Sequence, residues 1–334
     1  MQHRLSSVRV RKRGFRSIKP LFIVLVVLTC LRALFPSKKH QPFIRKTLTA
    51  PDIRRAKSIN HEFGYLNVMF YNHAYSDLVK SWVCNMKLNH IDILRATVFF
   101  TSEESAAIEL QEFDSSLWIS VQQTSDRDLL ATLSEKGLPY GSYAYFRLTL
   151  ERLLIQNELI QHGINVFLTE ADAVWLSASV LQEVVQKMQR ANLVSADDHG
   201  DRIISAGFLL CRADRRTRNF FQDYVDRYAN RLFKLRPGNP MDRIDDKDPG
   251  EQHLMTRLLK RSGMVVEWLN ACQYARGEWY SDVEYHHSCS QPLVIQNNYI
   301  IGLDAKVNRA KKWGHWFLHS DGRTCEKHHT GLLY

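Results

Sequence analysis

Two acidic residues separated by one position, Glu170 and Asp172, are the residues of this sequence best suited to chemistry. They follow an apolar run at residues 165–168 that we predict to be a buried strand, and open α/β sheets bind ligands at the carboxyl ends of their strands. Mg²⁺ and Mn²⁺ take few protein carboxylates together with phosphate oxygens. In an extended strand both side chains share a face, so one can bind a metal while the other orients a ligand or a water. On spacing alone, a solvated strand end is the simpler interpretation.

On either side of this acidic triplet, short β-rich runs alternate with helical patterns, which predicts an α/β domain with a largely parallel sheet. Apolar residues recur at helical spacing over residues 143–160, and Gly163 follows as a C-terminal stop. We predict further strands at residues 66–71, 96–100 and 117–121, and further helices at residues 76–88 and 304–312.

Four segments of the chain, in order, resemble the nucleotide-diphospho-sugar transferases, and together they cover most of residues 65–318. The first is the helix at residues 143–160 with Gly163, the strand and Glu170-Ala171-Asp172-Ala173-Val174-Trp175, similar to an Asp-x-Asp metal motif followed by Val or Ile and Trp. The others are Ser205-Ala206-Gly207-Phe208-Leu209, similar to an Asn-x-Gly-Phe strand; Glu251-Gln252, in place of an Asp-Gln pair that opens a helix; and Gln296-Asn297-Asn298 with Gly302 and Lys306, similar to a terminal His-x-Asn, Gly and Lys motif.

This resemblance implies a GT-A fold, a single Rossmann-like domain with a mixed, mostly parallel sheet that binds a nucleotide-sugar. It also implies a divalent metal, Mn²⁺ or Mg²⁺, and retention at the anomeric carbon. The expected activity is transfer of a hexose or pentose from a nucleotide-diphosphate-sugar, by default a UDP-sugar, to a glycan or glycoprotein acceptor.

The sequence departs from the family pattern at four positions: Glu170, Ser205, Glu251 and Gln296 stand where the family has Asp, Asn, Asp and His. The two glutamates keep the charge and add one methylene each. Gln296 is the larger change, because an amide oxygen is a weaker Mn²⁺ ligand than imidazole and carries no charge. A catalytically degenerate lumenal protein that binds a glycan or a partner is therefore the alternative to an enzyme.

The resemblance assigns the metal to Asp172, with Glu170 and Gln296 beside it. It makes Lys306 a second cation that neutralises charge on the leaving diphosphate. An exposed lysine on a surface helix is the plainer interpretation of Lys306.

Glu251 and Gln252 are expected to face the donor sugar, at the end of a polar run at residues 237–250 that is typical of a mobile, substrate-facing loop. A carboxylate favoured by the helix dipole explains Glu251 without chemistry. Gly207 lets the backbone approach a ligand closely, and Phe208 could form a platform for the sugar. A core strand of a hairpin explains both equally well.

Four polar residues complete the predicted nucleotide-sugar site. Asn72 ends the first strand, where such folds meet the nucleoside, although an Asx turn accounts for it too. Arg147 and Arg152 could reach the diphosphate or the sugar from the helix before the triplet, and an intrahelical pair with Glu151 is the alternative for Arg147. Asn298 belongs to the terminal motif.

Positive charge is concentrated at the N-terminus of the chain. The net charge of +10 arises in residues 1–60, which hold 15 Lys and Arg and one acid, whereas residues 61–334 hold 30 basic and 34 acidic side chains. The body of the protein is therefore mildly acidic, and we expect no nucleic-acid partner.

Seven Lys and Arg precede an apolar run that begins at Leu21, which predicts an uncleaved signal-anchor helix with its N-terminus in the cytosol. We predict a cytosolic tail at residues 1–17, the membrane span at residues 18–35, a solvated stem at residues 36–60 and a lumenal domain at residues 61–334. This is the layout of a single-pass type II protein of the Golgi membrane. A cleaved signal peptide is the competing interpretation.

Five of the six cysteines lie in the predicted lumenal part. In an oxidising compartment an odd number leaves at least one free or paired between chains. The three cysteines near the C-terminus predict a Cys272–Cys289 or a Cys289–Cys325 bridge.

Overall fold

The computed structural model of the protein describes residues 48–122, 138–198, 200, 202–244 and 250–326. The predicted cytosolic tail and signal-anchor, residues 1–35, lie outside these ranges. Within the ranges, no helix is both long and apolar enough to cross a membrane.

The described residues form ten strands and nine helices. The strands are β1 (Leu66–Phe70), β2 (Thr97–Thr101), β3 (Trp118–Val121), β4 (Val166–Thr169), β5 (Ala173–Trp175), β6 (Leu193–Asp197), β7 (Ile204–Cys211), β8 (Val266–Trp268), β9 (Tyr274–Ala275) and β10 (Val294–Gln296). The helices are α1 (Ala50–Phe63), α2 (Ser76–Leu88), α3 (Glu104–Phe113), α4 (Tyr143–Gln161), α5 (Ser179–Met188), α6 (Arg215–Lys234), α7 (Glu251–Leu259), α8 (Val283–Ser288) and α9 (Leu303–Lys312).

A seven-stranded sheet with the order β3-β2-β1-β4-β7-β6-β8 lies at the centre of the fold. β1 pairs in parallel with β2 and β4, whereas β7 runs antiparallel to both β4 and β6. The sheet is therefore mixed and mostly parallel, which confirms the α/β class predicted from the sequence. β4 and β7 are buried along their whole length, as expected for strands covered on both faces.

A second, three-stranded sheet with the order β5-β10-β9 lies next to the triplet. β10 runs antiparallel to β5, so that Gln296 lies opposite Ala173, and it runs parallel to β9. This pairing brings the C-terminal motif to the residue that directly follows Asp172.

The prediction of a solvated stem at residues 36–60 is wrong for residues 50–60, because these residues belong to α1. Thr49 and Asp52 form a reciprocal capping box at its start, and Gly64 ends it in the left-handed conformation at φ 82°. The helix contacts β1, and the side chains that face the domain follow one helical stripe, Ile53, Ala56, Ile59 and Phe63. The folded domain therefore begins before residue 61, because this stripe is long enough to bury a helix that is otherwise polar.

Two disulfides and one buried thiol account for the five described cysteines. Cys272 pairs with Cys289, one of the two predicted bridges, and Cys84 pairs with Cys325, so the alternative Cys289–Cys325 bridge is absent from the described structure. Cys211 is the free thiol, buried in β7.

Candidate active site

The acidic triplet lies in a turn at the carboxyl end of β4, between the large sheet and the small one. The Ala173 amide donates to the Glu170 carbonyl at 3.1 Å, so residues 170–172 reverse the chain instead of extending the strand. The prediction that Glu170 and Asp172 share one face of an extended strand is therefore wrong. A turn exposes backbone and side chains at the strand end, where an α/β sheet binds its ligands.

Lys306 and Asp172 form a partly buried ion pair, with 2.5 Å between Nζ and Oδ2. Burial alone lowers the pKa of Lys306, but the Asp172 carboxylate and its hydrogen bond outweigh burial, so the pKa is raised overall. Asn297 fixes both chains, since its amide donates to the Asp172 carbonyl at 3.0 Å and its side chain donates to the Lys306 carbonyl at 2.9 Å. The interpretation of Lys306 as an exposed surface lysine is wrong.

Arg152 joins the triplet to the start of α7. Its Nη1 donates to Glu170 at 3.0 Å and its Nη2 donates to Glu251 at 2.9 Å. The Arg152 and Glu251 side chains are nearly buried, where an ion keeps its charge only if it is paired. Burial and the neighbouring Asp172 carboxylate raise the pKa of Glu170, and Arg152 and Lys306 offset part of that rise. The structure thus brings together five predicted site residues, with three carboxylates held by one guanidinium and one ammonium group.

Gln252 lies beside this bridge and is held by two polar contacts. Its Oε1 accepts from the Ala206 amide at 2.6 Å, and its Nε2 donates to Asp198 at 3.0 Å. The other Asp198 oxygen accepts from the Asn298 side chain, also at 3.0 Å. Asp198 therefore connects two of the predicted site residues, and sequence reasoning missed it. The signal was present, because Asp197 and Asp198 form another acidic pair at the end of a buried strand.

Gln296 is buried at the end of β10, and its Oε1 accepts from the Ser205 hydroxyl at 3.0 Å. Among the described residues, its Nε2 has no hydrogen-bond partner. Two positions that depart from the family pattern therefore contact each other, which is consistent with a joint change.

Gly207 leaves space for the triplet's first acid. A Cβ atom at this position would lie 2.6 Å from Glu170 Oε2, so any larger residue displaces that carboxylate. Phe208, in contrast, packs in the core, with ring centroids 5.0 Å from Phe167 and 5.5 Å from Trp175. The prediction of a sugar platform at Phe208 is wrong, and the alternative of a core strand holds for this side chain.

Asn72 and Arg147 differ in how far the structure supports them. Asn72 is buried at the end of β1, and its Oδ1 has no partner among the described residues, so the Asx-turn explanation is wrong and a polar atom is left for a ligand. Arg147 donates to Glu151 at 3.2 Å, which is the intrahelical pair given as its alternative role.

Two further features border the site. Arg309, one helical turn after Lys306, donates to Asn297 Oδ1 and to the Asn298 carbonyl, both at 2.5 Å, and so fixes the terminal motif. The sequence analysis missed Arg309, although its spacing from Lys306 on α9 indicates that both lie on the same side of the helix. Of the predicted loop at residues 237–250, residues 245–249 lie outside the described ranges. The described part of this loop contacts the start of α4, where the Tyr143 backbone amide donates to the Asp242 carbonyl at 3.0 Å.

A mixed sheet with charged and amide side chains gathered at its strand ends defines the class of α/β protein that binds ligands at this edge of the sheet. The chain belongs to the nucleotide-diphospho-sugar transferase family, whose model matches residues 109–310. This confirms the family resemblance seen in the sequence.

Individual relatives are more distant. A Dictyostelium discoideum protein described as UDP-galactose:fucoside alpha-3-galactosyltransferase is 26 % identical over 203 residues, which are 56 % of this chain and 31 % of that protein. The chain therefore spans about a third of that relative's length. Among solved structures, galactosyltransferase LgtC with donor and acceptor sugar analogs gives a TM-score of 0.44 at 12 % identity, covering 69 % of this chain and 86 % of LgtC. Mouse xyloside xylosyltransferase 1 gives 0.42 at 13 %, covering 70 % and 98 %.

Proposed function

We propose that the protein is a glycosyltransferase that moves a sugar from a nucleotide-diphospho-sugar to a glycan or glycoprotein. The observation that carries the proposal is the bridge from Glu170 through Arg152 to Glu251. It joins the first acid of the metal motif to the acid expected to face the donor sugar, in a chain that belongs to the nucleotide-diphospho-sugar transferase family.

In the proposed transfer, an acceptor hydroxyl oxygen forms a bond to the anomeric carbon while the bond from that carbon to the β-phosphate oxygen breaks. The hydroxyl proton leaves with the diphosphate. Because negative charge develops on the diphosphate, the residues needed are fixed cations. Lys306 suits this role, since its raised pKa keeps it protonated, and Arg152 adds a second permanent charge.

A divalent metal, Mn²⁺ or Mg²⁺, is part of the proposal. Glu170, Asp172 and Gln296 offer oxygen ligands, which these ions prefer. In the described ranges no group of three His, Cys, Asp or Glu side chains could hold a metal, so the donor diphosphate would complete the ligand set. The Gln296 side chain fits this role. Exchanging the positions of its amide oxygen and nitrogen leaves the oxygen available as a ligand and lets the nitrogen donate to the Ser205 hydroxyl. When bound, the metal neutralises charge on the diphosphate.

Retention at the anomeric carbon is proposed on the family resemblance. Inversion would require a carboxylate placed to take the proton of the acceptor hydroxyl. The site carboxylates are instead engaged by cations, because Glu170 and Glu251 are bound to Arg152 and Asp172 is bound to Lys306. The proton NMR spectrum of fresh product distinguishes the two outcomes by its anomeric coupling constant.

The donor tested first is UDP-galactose and the acceptor tested first is a fucoside, because the Dictyostelium relative is described by that reaction. UDP-glucose, UDP-xylose and GDP-mannose complete the donor panel. Purified full-length protein in detergent should hydrolyse at least one donor, and chelation with EDTA should lower the rate until Mn²⁺ is restored. Glycan binding without turnover of any donor would instead support the catalytically degenerate protein.

We further propose that the protein is a type II protein of the Golgi membrane, with residues 18–35 as an uncleaved anchor. The disulfides support a lumenal domain, since such bonds persist in oxidising compartments. The intact protein should resist carbonate extraction and keep its N-terminal residues. A secreted form that begins near residue 36 as the main product would contradict the anchor.

A further inference from the structure

Two exposed tyrosines lie at the border of the candidate active site, and the proposed donor chemistry uses neither. Tyr140 precedes α4 and is 58 % exposed, and Tyr299 follows β10 and is 43 % exposed. Single exposed aromatic residues are common on protein surfaces. These two differ because each is fixed to the site by its own contacts.

Tyr140 is attached through Tyr145. The two ring centroids are 5.1 Å apart, and Tyr145 lies in the first turn of α4, the helix that also carries Arg152. The pKa of Tyr145 is raised well above its usual value, chiefly by burial and then by the Glu251 carboxylate. Burial also raises the pKa of Tyr140, and the Glu251 and Asp198 carboxylates raise it further, so Tyr140 lies within electrostatic range of both.

Tyr299 is attached through Asp198, the residue that already accepts from Gln252 and Asn298. The Tyr299 hydroxyl donates to the Asp198 carbonyl. Its backbone has φ 57°, a left-handed conformation that is rare for a bulky aromatic residue. Strain of this kind persists where the surrounding structure and the function require it.

Exposed aromatic rings beside a carboxylate and amides form the type of surface that binds a sugar. The apolar face of a pyranose packs on an aromatic ring, while carboxylate and amide groups accept and donate hydrogen bonds at its hydroxyls. A donor nucleotide, in contrast, needs cations for its diphosphate, and Arg152 and Lys306 carry those charges.

We propose that Tyr140 and Tyr299, together with Asp198, form the acceptor subsite, and that the acceptor presents a pyranose ring to it. This inference rests on the proposed function, which supplies the donor side of the same site. It assigns the acceptor to saccharides, because a hydroxyl of an unglycosylated peptide has no ring to pack on the tyrosines.

The test compares Tyr140→Ala and Tyr299→Ala with the rescue variant Tyr140→Phe in the full-length protein. The first readout is saturation-transfer NMR with the methyl glycosides of fucose, galactose, glucose and xylose as probes. The second is the ratio of sugar transfer to donor hydrolysis.

Both alanine variants should weaken binding of the preferred glycoside roughly tenfold, the effect of losing one aromatic contact, and should lower the ratio of transfer to hydrolysis. The Tyr140→Phe variant should restore both. Phe233→Ala, an exposed aromatic residue on α6, is the control and should change neither.

Two results would overturn the subsite: unchanged glycoside binding in both alanine variants, or no saturation transfer from the wild-type protein to any of the four probes. Failure of the proposed function has a different signature. In that case the wild type hydrolyses no donor, while the NMR comparison still decides whether the tyrosines bind a sugar.

Discussion

Glu170 and Asp172 are carboxylates of one turn, yet different cations hold them. Asp172 is bound to Lys306, and Glu170 to Arg152. Asp172→Asn keeps the size of the side chain but removes the charge that holds Lys306 and that would bind the metal in the proposed function. We expect kcat to fall by about 10²–10³-fold, as when one electrostatic stabiliser of a transition state is lost. Glu170→Gln should be milder and act mainly on the KM for the donor.

The measurement is kcat, donor KM and Mn²⁺ dependence for both variants, with circular dichroism as the control for folding. Equal activity of Asp172→Asn and the wild type would remove the triplet from the mechanism.

Gly207 provides a second test at the scale of single residues. Gly207→Ala places a methyl group 2.6 Å from the Glu170 carboxylate, so Glu170 must move away from Arg152. We expect a higher donor KM and a lower kcat from one added carbon. Gly238→Ala is the matched control, because a Cβ there has no atom within 4 Å among the described residues. If the two variants have the same kinetics, the position of Glu170 does not matter.

At the scale of elements, the sequence predicted what depends on local periodicity. α2 has the predicted bounds, and α4 and α9 differ from theirs by one residue, because apolar spacing and terminal glycines are local signals. The sheet formed by β5, β10 and β9 was not predicted, since its strands have two or three residues and β10 pairs with strands far away in the sequence. The same limit applies to Arg152: the sequence marked it as a candidate, but only the structure shows that its side chain joins Glu170 to Glu251.

α1 is the element where a local signal was overlooked, and it yields the next prediction. Ile59 is buried on the stripe that faces the domain. Ile59→Ala should therefore lower the free energy of unfolding by roughly 2–5 kcal/mol, the cost of a large-to-small change in a core. Lys57→Ala, on the exposed side of the same helix, should change it little. Urea unfolding curves measure the free energy of unfolding of both variants. Equal curves would contradict the packing of α1 and favour the interpretation as a solvated stem.

At the scale of the whole molecule, the segment at residues 315–325 packs against the strand that follows the acidic triplet. Trp316, Phe317 and Leu318 pack with Leu78 and with Val174, which lies two residues after Asp172. The Cys84–Cys325 disulfide ties this segment to α2. Because this segment contacts the strand that follows Asp172, we expect a change that loosens it to affect the candidate active site as well as the free energy of unfolding.

His315 makes that packing sensitive to pH. It is buried beside Tyr280, whose hydroxyl lies 2.8 Å from its Nδ1, and burial lowers its pKa from 6.5 to about 4. Between these values the unfolded chain binds a proton that the folded chain does not. The free energy of unfolding therefore falls as the pH falls through this window, by about 3 kcal/mol in total.

His315→Gln removes the titration and keeps a polar group near Tyr280. From pH 7 to pH 4.5, the wild type should lose about 2 kcal/mol more stability than this variant. Urea unfolding at the two pH values measures the difference, with His162→Gln as the control at an exposed histidine. An equal loss in the wild type and in His315→Gln would assign the acid sensitivity to other groups.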